Sequence, residues 1–227
     1  PLLQLLAVAG RQIDLAMLRK LCPDPDGFLG ACADAAVLEV SEDRWRFSHD
    51  KLREALLAEL DRSQQQALHR TVADTLEPLY REHVDHAAAL AHHFERAGLL
   101  GRALHYALLA GEHALRRGAL VEAERILETV TRSLPHDGAP QWQTAKAFRL
   151  HAQALSGLGR TAACVQTSLK GLRAVGQPVP QHQPLLIAGI LRQLAGQVQR
   201  RLLLDGSAPT QVPLSRAEEA RLLALVG

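Results

Sequence analysis

The 227-residue sequence predicts a mainly α-helical protein, with a small winged-helix domain carrying one β-hairpin followed by an α-helical solenoid. Three observations predict it. The composition is 47% hydrophobic but only 4% aromatic, and it is rich in Leu, Ala, Arg and Gln, the residues that lose least on entering a helix. Near the start, three short apolar segments precede two strand-like segments joined by a polar turn. From about Ala87 onward the periodicity is helical only, and it is interrupted at glycines.

The first of these segments, residues 2–9, ends at Gly10. Residues 13–21 form a second, with Leu15, Leu18 and Leu21 on its inner face and Asp14 placed to cap it. The cluster Pro23-Asp24-Pro25-Asp26-Gly27 forces a break, and residues 28–36 give a third helix of small side chains. Residues 37–40 and 44–48 alternate as strands around Ser41-Glu42-Asp43, and the chain then turns at His49-Asp50 into a helix whose Leu52, Ala55, Leu56 and Leu60 keep helical spacing. Asp50 is expected to cap that helix, which leaves the imidazole of His49 without a local task. Residues 64–79 make the next helix, with Leu68, Val72, Leu76 and Leu79 in register and a capping box expected at Ser63 and Gln66.

Gly98, Gly118 and Gly159 share a pattern. Each is followed five residues later by a small residue (Ala103, Ala123, Cys164) and preceded seven residues earlier by another (Ala91, Gly111, Ala152). Small residues at these offsets let two antiparallel helices approach closely across a tight turn, the requirement of a helical-hairpin solenoid. The spacing resembles the tetratricopeptide pattern in degenerate form, with Pro135 and the stretch Gly176-Gln177-Pro178 as closing elements and residues 135–140 as an insertion. Beyond it, residues 185–204 predict a long helix with Arg192, Arg200 and Arg201 off its apolar face, and Ser215 with Glu218 opens a final one. The expected organisation is therefore a winged-helix domain with its following helices over residues 1–79, repeats over 80–177, and further solenoid helices over 178–227. Both ends read as cut from a longer protein.

Charge and motif content narrow the function. The formal charge of +2, from 26 basic and 24 acidic residues, is too balanced for an electrostatic nucleic-acid binder. The third helix contains no Lys or Arg, whereas a helix entering the major groove needs cations and base-edge donors. A DNA-binding regulator with a solenoid for dimerisation is the alternative reading. Cys22, Cys32 and Cys164 have neither paired nor CxxC spacing, which suits a reducing cytoplasm. The apolar runs fall short of the roughly 20 residues that span a bilayer. The sequence holds no phosphate-binding Gly-x-x-x-x-Gly-Lys loop and no hydrolase or zinc-protease motif, so no catalytic residue is expected. His83, His86, His92 and His93 cluster in sequence, but with no cysteine near them the expectation is no metal site.

The residues Phe47-Ser48-His49-Asp50-Lys51-Leu52-Arg53-Glu54-Ala55, followed by Gln66-Ala67-Leu68-His69-Arg70-Thr71-Val72-Ala73-Asp74-Thr75-Leu76-Glu77, resemble the winged-helix region of large bacterial STAND-type signalling ATPases. These are joined to Ser/Thr kinase, nucleotide cyclase, histidine kinase or LuxR-type output domains. Residues 104–115 resemble the first helix of the tetratricopeptide-like region that comes next in those proteins. The resemblance implies a non-catalytic sensor segment, coupled to an upstream ATPase domain and to a ligand or protein partner of the solenoid, in the cytoplasm, with oligomerisation on activation. No cofactor is expected in this chain itself; ADP or ATP would be held by the full-length protein. In the wider family a His-Asp pair at the end of the winged helix contacts the β-phosphate of ADP, and His49-Asp50 falls on that pair, making His49 the candidate nucleotide-sensing residue. The sequence departs from the motif at Phe47-Ser48, where a methionine commonly precedes the histidine.

Overall fold

The computed structural model describes residues 1–137 and 140–177. The further helices expected over 178–227 lie outside the described residues. The chain is mainly helical, with one antiparallel hairpin near its start and a helical region after it. Its backbone groups into two compact units, Pro1–His113 and the residues from Ala114 onward.

The first unit opens with α1 (Leu2–Ala9), α2 (Leu15–Leu21) and α3 (Pro25–Asp34), then β1 (Leu38–Ser41) and β2 (Arg44–Phe47). This is the element order expected of a winged helix. Asp14 caps α2 as expected, accepting from the Met17 amide at 2.8 Å. The Pro-Asp cluster behaves differently. Asp24 caps α3 through the Gly27 amide at 3.0 Å, so the helix begins at Pro25 rather than Phe28. Proline at the first helical position gives up an amide that would have had no partner, which turns an apparent breaker into a start.

The strands pair Leu38 with Phe47 and Ser41 with Arg44, leaving Glu42 and Asp43 as a two-residue turn, both at positive φ (53° and 58°). A right-handed strand pair selects such a turn. A third segment joins the hairpin: Gln12 bridges Arg46, the Ile13 amide donates to the Trp45 carbonyl at 2.8 Å, and the Phe47 amide donates to the Arg11 carbonyl at 3.2 Å. Strand pairing was expected in the hairpin alone, and this extra contact ties the α1–α2 linker to its open edge. Phe47 and Leu38 are buried beneath the hairpin, with Leu6, Met17 and Leu18 among the other interior side chains of this unit.

Helices α4 (Asp50–Ala58), α5 (Arg62–Tyr80), α6 (Ala87–Arg96) and α7 (Leu100–Arg116) come next, with a single 3₁₀ turn over Val84–His86. The capping box of α5 is Asp61 with Gln64 rather than Ser63 with Gln66; Asp61 accepts from the Gln64 amide at 2.8 Å, and the Gln64 side chain accepts from the Asp61 amide at 2.9 Å. The inner face of α5 keeps the predicted register, with Val72 and Leu76 buried. The face predicted for α4 is only partly used: Leu60, just beyond it, is buried, and Leu52 is exposed.

The second unit contains α8 (Leu120–Asp137), α9 (Gln141–Gly157) and α10 (Thr161–Ala174). Helix α8 continues past Pro135, where a repeat boundary was expected. The glycine pattern has a geometric cause. Gly98, Gly118, Gly159 and Gly176 all lie at φ between 72° and 77°, a left-handed conformation that costs glycine nothing. In each turn the amide after the glycine reaches back to a carbonyl five residues earlier, as from Leu99 to Phe94 and from Arg160 to Leu155, each at 2.9 Å. These are paired closures of a helix C-terminus. Of the small residues at the flanking offsets, Ala103, Gly111, Ala123, Ala152 and Cys164 are buried and Ala91 is half-buried.

Candidate functional site

The strand-to-helix junction at residues 47–50 is built from fixed parts. Phe47 is wholly buried and pins the end of β2. The next residue, Ser48, is held twice by the chain entering β1: its amide donates to the Val37 carbonyl at 3.1 Å and its hydroxyl to the Ala36 carbonyl at 2.6 Å. Ala36 itself sits at φ 55°, which turns its carbonyl toward Ser48. The backbone that carries His49 is thus fixed on both sides, since its own carbonyl accepts from the Leu52 amide at 3.1 Å to begin α4.

His49, not Asp50, occupies the N-cap position of α4, in extended conformation (φ −134°, ψ 135°), and its side chain makes no capping hydrogen bond. It is exposed. Asp50 is the first helical residue, and its carboxylate lies 3.2 Å from Nε of Arg11 instead of folding over the helix amides. The expectation that Asp50 caps the helix is therefore corrected. In this unit α2, α3 and α5 each begin under an aspartate that accepts a first-turn amide, whereas α4 begins beside an imidazole and an Arg-Asp pair. Amides at a helix start and its positive dipole end attract anions, and an imidazole there can donate to a phosphate oxygen. The opposite end of the neighbouring α1 is closed by Arg53, whose Nε donates to the Ala7 carbonyl at 2.8 Å.

The histidines from 83 to 93 do not form one site. His86 stacks on Tyr80, ring centroids 3.9 Å apart and nearly parallel, with His83 edge-on to both. His93 instead turns inward to meet His69 of α5, Nδ1 to Nδ1 at 3.0 Å. Burial is the main reason both rings are held down to about 4, helped by His92 and Arg96 for His69 and by His69 and His92 for His93. Among the described residues no group of His, Cys, Asp and Glu has the arrangement of a metal site. Sequence reading missed this pair, although one signal was present: His69 is three residues before Val72 and His93 three after Leu90, each in register with its helix's apolar stripe.

Helix α3, tested as a DNA reader, exposes Asp26 and Asp34 and no cation. Among the described residues no helix is long and apolar enough to cross a membrane.

Comparison with known proteins adds one relative. An uncharacterized protein of Rhizobium meliloti (strain 1021) is 32% identical over 133 residues, an alignment that takes in 54% of this chain and only 13% of the relative. The chain thus matches a small part of a much longer protein. No family profile matches the chain, and no solved structure matches it.

Proposed function

We propose that this chain is a non-catalytic regulatory segment of a multidomain signal-transduction ATPase of the STAND type, in which the winged helix senses nucleotide state and the helices beyond it take up a ligand or partner. The observation that carries the reading is His49: an exposed imidazole on a rigid junction, at the start of a helix, with no structural task of its own. Its position on the His-Asp pair of those ATPases supports assigning it to the β-phosphate of ADP bound by an ATPase domain of the same protein. Supporting it further, the relative that the chain resembles is far longer than the matched segment. Binding to the helical region shifts the resting arrangement only if the ligand prefers the active one, and ADP held through His49 opposes that shift. ADP or ATP is then the full-length protein's nucleotide, the cytoplasm its compartment, and oligomerisation its activated form.

The rival reading as a DNA-binding regulator fares worse, because the exposed face of α3 is acidic. The two are separated by reading the coding sequence ahead of Pro1. A phosphate-binding loop and an acidic strand end there are the expected result; their absence overturns the ATPase reading.

A further inference from the structure

The second unit contains a cavity of about 520 Å³ between α8, α9 and α10, a size suited to a small organic ligand rather than a macromolecule. Its two ends differ. At one end lie Leu155 and Ala163, beside Glu124, which is ion-paired with Arg160. The other end is floored by Phe148, which packs against Gly171, and is rimmed by Arg132, Lys170 and Arg173. The cavity's two carboxylates already have cations, Glu124 in Arg160 and Glu128 in Arg132 at 3.0 Å. Lys170 and Arg173, three residues apart on one face of α10, have no carboxylate partner among the described residues. The uncompensated charge of the cavity is positive and lies beside its aromatic floor.

Between the ends, His151 is only 7% exposed and lines the cavity. Its Nδ1 lies 3.0 Å from the Thr131 hydroxyl, which in turn donates to the Leu127 carbonyl at 2.9 Å. The ring is thus held by the hydroxyl of α8 at the edge of the cavity.

We propose that this cavity binds a small amphipathic carboxylate, with the anionic group between Lys170 and Arg173 and the apolar body on Phe148 and Leu155, alongside the His151 ring. The proposal deepens, and rests on, the reading of this helical region as the ligand-taking part of the protein.

The test is an NMR titration of the 227-residue chain with 4-phenylbutyrate, beside 4-phenylbutan-1-ol, which has the same body without the charge. The carboxylate is expected to shift the His151 ring signals and to bind about tenfold more tightly than the alcohol. Lys170→Glu, at an exposed position, is expected to weaken it about tenfold while leaving the urea midpoint unchanged. Equal binding of acid and alcohol overturns the proposal, as does an unmoved His151 at millimolar ligand. If only an acetylated acidic peptide perturbs these residues, the occupant is a protein partner and the proposal fails. None of these outcomes depends on nucleotide, so a failure here is distinguishable from a failure of the role assigned to His49.

Discussion

His69 and His93 face one another Nδ1 to Nδ1 at 3.0 Å between α5 and α6. One of the two nitrogens must carry the proton and the other accept it. The pair therefore links α5 to α6 while both rings are neutral, and protonating both puts two N–H groups head to head.

Burial of the two rings sets the sign of the pH dependence. Both titrate near 4 in the folded chain and near 6.5 when unfolded, so between these values the unfolded chain binds more protons. Stability is full above about pH 6.5 and falls as the pH drops toward 4. Urea midpoints measured from about pH 7.5 to about 4.5 check this. A His69→Leu/His93→Leu variant is expected to show a much shallower slope over that window; an unchanged slope would assign the effect to other groups.

Two mid-helix glycines should respond oppositely to alanine. A Cβ on Gly171 would lie 2.5 Å from the Phe148 Cβ, so Gly171→Ala must separate α9 from α10 and is expected to cost about 1–3 kcal/mol despite its better helix propensity. Nothing lies within 4 Å of a Cβ built on Gly30 in α3, so Gly30→Ala is expected to gain up to about 1 kcal/mol. Chemical denaturation of the two variants decides both.

Arg102 joins α7 to α5 by ion-pairing Asp74 at 3.0 Å and Glu77, while its guanidinium lies 4.1 Å over the Phe94 ring. Glu77 also accepts from Tyr106 at 2.9 Å, and burial together with this carboxylate pushes the Tyr106 phenol up to about 12. Because these groups are partly exposed, Arg102→Met is expected to cost only about 1 kcal/mol, and the loss should shrink in high salt. A loss that is independent of salt would assign the effect to packing on Phe94.

At the wing tip, Glu42 and Asp43 both sit in the left-handed region. Replacing them together, Glu42→Asn with Asp43→Gly, supplies the residues this turn prefers and is expected to stabilise the first unit by about 0.5–1 kcal/mol in thermal unfolding.

These positions show what was legible in the sequence. Gly98, Gly118 and Gly159 were readable because a left-handed helix closure demands one residue type and so leaves a mark at a fixed place. The hairpin was readable because alternation and a polar turn are local. The Gln12–Arg46 bridge was not, since a single pairing residue has no period and its register comes from the packing of α1 and α2. Helix starts moved because two rules competed: Asp61 with Gln64 obeys the same three-residue spacing as Ser63 with Gln66, and the earlier pair won. His49 was picked out by its neighbours in sequence. The pairing of His69 with His93 joins residues 24 apart, which spacing along one helix cannot reveal.

The central claim is that His49 reports bound nucleotide, and ADP retention by the intact protein tests it most directly. After gel filtration without free nucleotide, His49→Ala is expected to hold ADP about tenfold less tightly than the unaltered protein and to raise basal output, since a charge-assisted contact to phosphate is lost. Equal ADP retention by the two proteins would contradict it.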